Sequence, residues 1–139
     1  MAANSRLAVA VHALAWLAWH GRAFSCSREI AASVATNPVV IRRLLAQLVR
    51  AGIVEASHGA KGGFRLARPA ARISLHDVWD AIEQGGFFAL RERVSGTCPV
   101  ACRMNSILNG VFARVEARAL PELRRTSLAD IVSEIGTVA

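Results

Sequence analysis

The chain has 139 residues, 53% of them hydrophobic and 19% charged, and its 17 Lys and Arg outnumber its 10 Asp and Glu for a formal net charge of +7. That length accommodates one compact domain with an added arm and excludes a two-domain enzyme, and the apolar fraction excludes a disordered chain, which lacks the hydrophobicity to offset its ordering entropy. So basic a balance excludes a cationic partner and points to a polyanion, either nucleic acid or an anionic membrane face.

The first apolar run, Leu7 to Trp19 with His12 inside it, is shorter than the roughly 18 residues a membrane span requires. It predicts a buried helix from Ser5 to His20, with Ser5 as cap and Gly21 as stop. A secretory signal is the rival reading; the single flanking charge, Arg6, and the lack of a small-x-small cleavage site count against it. Three cysteines, an odd number, are expected as free thiols in a reducing compartment, so cytoplasm is the expected location and no membrane the expected partner.

A short second helix follows Cys26, which stands three residues before Glu29 at the spacing of a capping box whose first member is normally Ser or Thr. Asn37-Pro38 then offers a cap and a first-turn proline for a third helix. Ile41, Leu44, Leu45 and Leu48 recur at helical spacing, which leaves Arg42, Arg43, Gln47 and Arg50 on other faces before Gly52. The period then changes to that of strands: residues 53–57 and 64–67 flank the glycine-rich reversal His58 to Gly63. That reversal lacks the Gly-Lys-Ser/Thr ending of a phosphate-binding loop, so it reads as a hairpin turn.

Ser74 predicts a helix over Leu75 to Gln84 stopped by Gly85-Gly86, and Phe87 to Cys98 reads as a loop with a short extended piece. From Val100 to Leu120 the set Met104, Ile107, Leu108, Val111, Phe112, Val115 and Ala119 predicts a long amphipathic helix, interrupted or restarted by Pro121. Thr126 or Ser127 caps a last helix through Ile135. The expected fold is mainly α with a small β-hairpin wing: a winged helix-turn-helix head over residues 1–72, then a linker helix, a sensory loop and dimerisation helices over 73–139.

The charge sits in the head. Residues 1–72 carry ten basic side chains against Glu29 and Glu55, whereas residues 73–139 carry seven basic and eight acidic ones. Double-stranded DNA is therefore the expected partner. Asn37, Val39, Val40, Arg42, Arg43 and Gln47 on the third helix are the candidates for base edges and phosphates, and Lys61 and Arg65 in the wing for the backbone. The stripe of Ile107, Leu108, Val111, Phe112 and Val115 exceeds what so small a domain needs to bury. A second copy would cover it; packing back on Leu7 to Trp19 is the alternative.

Asn37-Pro38-Val39-Val40-Ile41-Arg42-Arg43, Gly62-Gly63-Phe64-Arg65-Leu66-Ala67-Arg68-Pro69 and Cys98-Pro99-Val100 resemble the Rrf2 family of bacterial transcription regulators, in its YwnA-like branch. The resemblance covers nearly the whole chain and implies a dimeric winged-helix protein, usually a repressor; several members sense iron-sulfur clusters, nitric oxide or thiol state. Cluster-sensing members carry three cysteines close together before the long helix, whereas this chain has only Cys98 and Cys102 there, with Cys26 far back in the head. No cofactor and no metal site are therefore expected, although a cluster with a non-cysteine ligand, or one shared between subunits, stays open.

Cys98 and Cys102 lie at a loop-to-helix junction, where a helix N-terminus favours the thiolate; the competing reading makes them small, partly buried apolar residues. Cys26 stands near a second helix N-terminus. With the thiols silent, a small-molecule pocket near Trp79 and Phe87 would carry the signal. The four histidines show no metal-ligand spacing and no nucleophile-base arrangement falls on one face, so catalysis is not expected. The reading is thus a DNA-binding repressor responsive to thiol oxidation or a small molecule, with a protein-interaction module on the same fold as the alternative.

Overall fold

The computed structural model describes residues 5–83 and 85–137. Three helices come first, α1 (Ser5–Trp19), α2 (Ser27–Val34) and α3 (Pro38–Arg50), then an antiparallel hairpin of β1 (Val54–Ser57) and β2 (Gly63–Leu66). After a 3-10 turn at Ala70–Arg72 come α4 (Leu75–Ile82), α5 (Pro99–Arg125) and α6 (Leu128–Thr137). Helices make up most of the chain and the two-stranded hairpin is the one sheet among the described residues, as the sequence pattern implies.

The caps are local and fall where the residue types place them. The Cys26 amide donates to Glu29 Oε2 at 3.0 Å, and Ser74 and Asp77 bond each other's amides reciprocally, as do Ser127 and Asp130. The core is built from Leu14 and Leu17 of α1, Ile30 of α2, Ile41, Leu45 and Leu48 of α3, and Ile73, Val78, Ile82 and Leu128 from further along the chain. It is thus continuous across residue 72. The start of the last helix is fastened to the chain entering α4 by backbone bonds, Leu75 N–H to Thr126 O at 2.9 Å and Leu128 N–H to Ile73 O at 2.7 Å.

Three expectations need correction. The fourth helix ends at Ile82 and Glu83 is extended (φ −100°, ψ 132°), because the chain turns away there to bring Phe87 onto Trp79, ring centroids 4.4 Å apart; Gln84 lies outside the described residues. The segment Phe87 to Cys98 contains no strand: its polar backbone groups bond side chains of α5, the Phe87 amide to Glu116 Oε1 at 2.6 Å and the Arg91 carbonyl to Asn105 Nδ2 at 2.8 Å. Pro121 neither stops nor restarts the long helix, which runs through it to Arg125. Pro121 and Ala117 are both exposed, so the carbonyl that loses its amide partner is free to take water.

Candidate nucleic-acid interface

The N-terminal end of α3 is held from two sides. Asn37 Oδ1 accepts from the Val39 amide at 2.8 Å, which caps the helix and commits that oxygen to the fold. Arg42 Nη1 donates to Ser27 Oγ at 3.3 Å and so ties the second turn of α3 to the first turn of α2. Because Ile41, Leu44, Leu45 and Leu48 turn inward, Val39, Arg42 and Arg43 are left exposed along the opposite face, with Val40 half-buried beside them. Gln47 is also half-buried, and its Oε1 accepts from Arg6 Nη2 at 3.0 Å, so it braces α3 against α1. Sequence reasoning missed Ser27; the capping-box spacing that placed it in the first turn of α2 was the available signal.

The wing pairs Glu55 with Arg65 and Ala56 with Phe64. Glu55 and Arg65 form a salt bridge across the hairpin, while Arg65 Nη1 donates to the Arg22 carbonyl at 3.3 Å and its guanidinium lies 4.4 Å from the centre of the Phe24 ring. Arg65 is therefore a clamp between the wing and the end of α1, its charge balanced by Glu55. Lys61 stands exposed at the tip. The glycine pair below it is sterically required: a Cβ on Gly62 would collide with the Ser57 carbonyl, and Gly63, at φ +145°, brings its backbone against Ser25. There Ser25 and Phe64 exchange two backbone hydrogen bonds of 2.9 Å, which fasten the wing to the chain just before α2.

All three thiols are free and exposed, not buried. Cys98 occupies the N-cap position of α5 without a side-chain cap bond, and Cys102 lies one turn further on, its Sγ 3.3 Å from the Gly96 carbonyl. Cys26, at the start of α2, belongs to a different part of the surface, near the base of the wing. Among the described residues no three His, Cys, Asp or Glu side chains are grouped to hold a metal, and two thiols one turn apart without a third ligand do not fit an iron-sulfur cluster within one chain.

Along α5, which packs on α4, the apolar residues divide. Val100, Met104, Ile107, Val111 and Val115 are between 37% and 65% exposed and form one stripe. Leu108 and Phe112 are half-buried, and Phe112 meets Phe88 with ring centroids 4.8 Å apart, so its partner is within the chain. The elements of the second half that pack on α1 are α4 and α6. No described helix is long and apolar enough to cross a membrane.

Residues 3–134 match the Rrf2 family, described as an iron-dependent transcriptional regulator. YwnA of Bacillus subtilis, named as an HTH-type transcriptional regulator, is 36% identical over 133 residues, 95% of this chain and 98% of its own. Among solved structures, IscR of T. potens superposes over 100% of this chain and 93% of its own with a TM-score of 0.73 at 23% identity. CymR, the global cysteine regulator of B. subtilis, superposes over 96% and 98% with a TM-score of 0.69 at 21% identity. These two likenesses carry the winged-helix fold; the match over nearly the full length and the identity to YwnA carry the family. The chain belongs to the Rrf2 family of transcriptional regulators.

Proposed function

We propose that the protein is a homodimeric cytoplasmic repressor that reads duplex DNA through α3 and rests its wing on the sugar-phosphate backbone. The observation that carries this is the docking end of α3, where exposed Val39, Arg42 and Arg43 are presented by a helix fixed at Asn37 and at Ser27. Arginine forks onto guanine and phosphate, and the excess of positive charge lies in this half of the chain. Residues 1–72 act as the head and residues 73–139 supply the linker helix, the sensory loop and the dimer contact. The exposed stripe of Ile107, Val111 and Val115 supports pairing of α5 with its counterpart in a second copy, since an unpartnered apolar face of this length is costly in water.

Cys98 and Cys102 stand exposed at the start of that same helix, which supports an input from thiol oxidation. The direct test is footprinting on the DNA around the protein's own promoter. Protection of two half-sites with centres about 34–36 Å apart is expected of a two-fold symmetric pair of heads. Absence of any protected site there and on flanking DNA would favour the protein-interaction module.

A further inference from the structure

A groove of about 560 Å³ separates the head from α5, walled by Leu7 of α1, Trp79 of α4, Phe87 and Phe88 of the loop, and Ala119 and Leu123 of α5. Its size falls in the range of about 300–1,000 Å³ typical of small-molecule sites. Two features of its wall restrict the occupant. The first is aromatic: Trp79 and Phe87 meet edge to face, and Phe88 is 47% exposed although one side of it rests on Phe112. The second is acidic, in a chain that is basic overall. Glu122 is the carboxylate of the lining, while Glu116, which holds the Phe87 amide, and Glu83, one turn after Trp79 with a buried carboxylate oxygen that has no donor, stand behind it on α5 and at the end of α4. Arg125 pairs with Glu122, but both are largely exposed, and such a pair is weak enough for another cation to compete.

The geometry points to a binding site in this groove for a bulky aromatic or apolar organic cation. Ring faces attract a cation through their quadrupole, the Glu122 carboxylate adds to that attraction, and the aliphatic wall of Leu7, Ala119 and Leu123 accepts its apolar body. The groove is bounded by the head on one side and by the proposed dimer helix on the other, so an occupant changes the angle between them and with it the spacing of two heads on DNA. That consequence rests on the DNA-binding reading; the binding itself does not.

The test uses the full chain without DNA and two probes of one shape and opposite charge, tetraphenylphosphonium and tetraphenylborate, by titration calorimetry. The phosphonium is expected to bind one per chain at least tenfold more tightly than the borate, although the net charge of +7 favours the anion. Ala119→Trp, which fills the groove, is expected to weaken phosphonium binding at least tenfold, and the exposed-site change Glu122→Gln to weaken it several-fold with the fold intact. Equal or tighter borate binding, or phosphonium binding indifferent to both substitutions, overturns the proposal. So does a groove that takes neither probe while Ala119→Trp splits the dimer in sedimentation, since a second copy would then be the occupant. Operator affinity is measured separately with and without phosphonium and is expected to change about tenfold. Phosphonium binding by a chain that binds no DNA supports the site and contradicts the regulator reading.

Discussion

Arg42 of α3 donates to Ser27 Oγ of α2 across 3.3 Å, a contact that steadies an exposed arginine on the helix proposed to enter the major groove. A long side chain held by one hydrogen bond loses less rotamer entropy on binding than a free one. Arg43, its neighbour, has the exposure without the tether.

Replacing both Arg42 and Arg43 with Ala is expected to weaken operator binding by roughly 2–6 kcal/mol, about 1–3 kcal/mol for each bidentate base contact, with the circular dichroism spectrum and melting temperature nearly unchanged. Ser27→Ala should cost less than Arg42→Ala, because it removes the tether and keeps the guanidinium. Unchanged operator affinity in the double variant, measured by fluorescence anisotropy, would place both arginines outside the interface.

The two wing cations should behave differently. Lys61→Ala, at the exposed tip, is expected to weaken binding to all duplexes alike and to lower the salt slope by about 1. Arg65→Ala instead removes the Glu55 pair and the stacking on Phe24, each worth about 0.5–1 kcal/mol at a part-exposed site, so its main effect should be a lower melting temperature. A normal melting temperature with a reduced salt slope in Arg65→Ala would show that this arginine faces phosphate.

Charges at Ile107 and Val111 together should yield monomers that bind DNA poorly, because a two-fold interface counts each substitution twice. Phe112→Ala is expected to act within the chain, by releasing Phe88, and to lower thermal stability more than it shifts the sedimentation profile. A double variant at Ile107 and Val111 that stays dimeric would move the contact elsewhere.

Peroxide oxidises a thiolate to a sulfenic acid, which a second thiol converts to a disulfide with loss of water. Cys98 and Cys102 lie one turn apart, so a bridge between them strains only the start of α5, next to the loop that carries Phe87 and Phe88. Mild oxidation is expected to weaken operator binding roughly tenfold in the parent, within the usual range of couplings between sites, and to have little effect in Cys98→Ser, while Cys26→Ser should respond like the parent. Equal weakening of all three proteins would remove Cys98 from the switch.

What could be read from the sequence was whatever short-range chemistry decides. Asn37-Pro38 caps α3, Ser74 with Asp77 and Ser127 with Asp130 close capping boxes, and Gly62-Gly63 makes a turn that no side chain could enter. Contacts between distant elements were not legible. Nothing in the residues around Gln47 announces Arg6 as its partner, and Arg65 could be recognised as a clamp only once the hairpin register set it opposite Glu55. Phe112 belongs to the apolar period of α5, but the aperiodic loop that carries Phe88 onto it has no pattern to read. Pro121 misled because the cost of an interior proline depends on whether the freed carbonyl reaches water, and here it lies on an exposed stretch.

The most direct measurement is the affinity of the full chain for its promoter duplex and for a random duplex as the salt concentration rises. Docking of two heads through α3 and the wing predicts a linear fall of log K with log salt, at about −0.9 per phosphate neutralised, and promoter binding about 10³-fold or more tighter than random binding at physiological salt. Weak binding with equal affinity for the two duplexes would contradict sequence-specific reading, and a flat salt response would contradict DNA as the partner altogether.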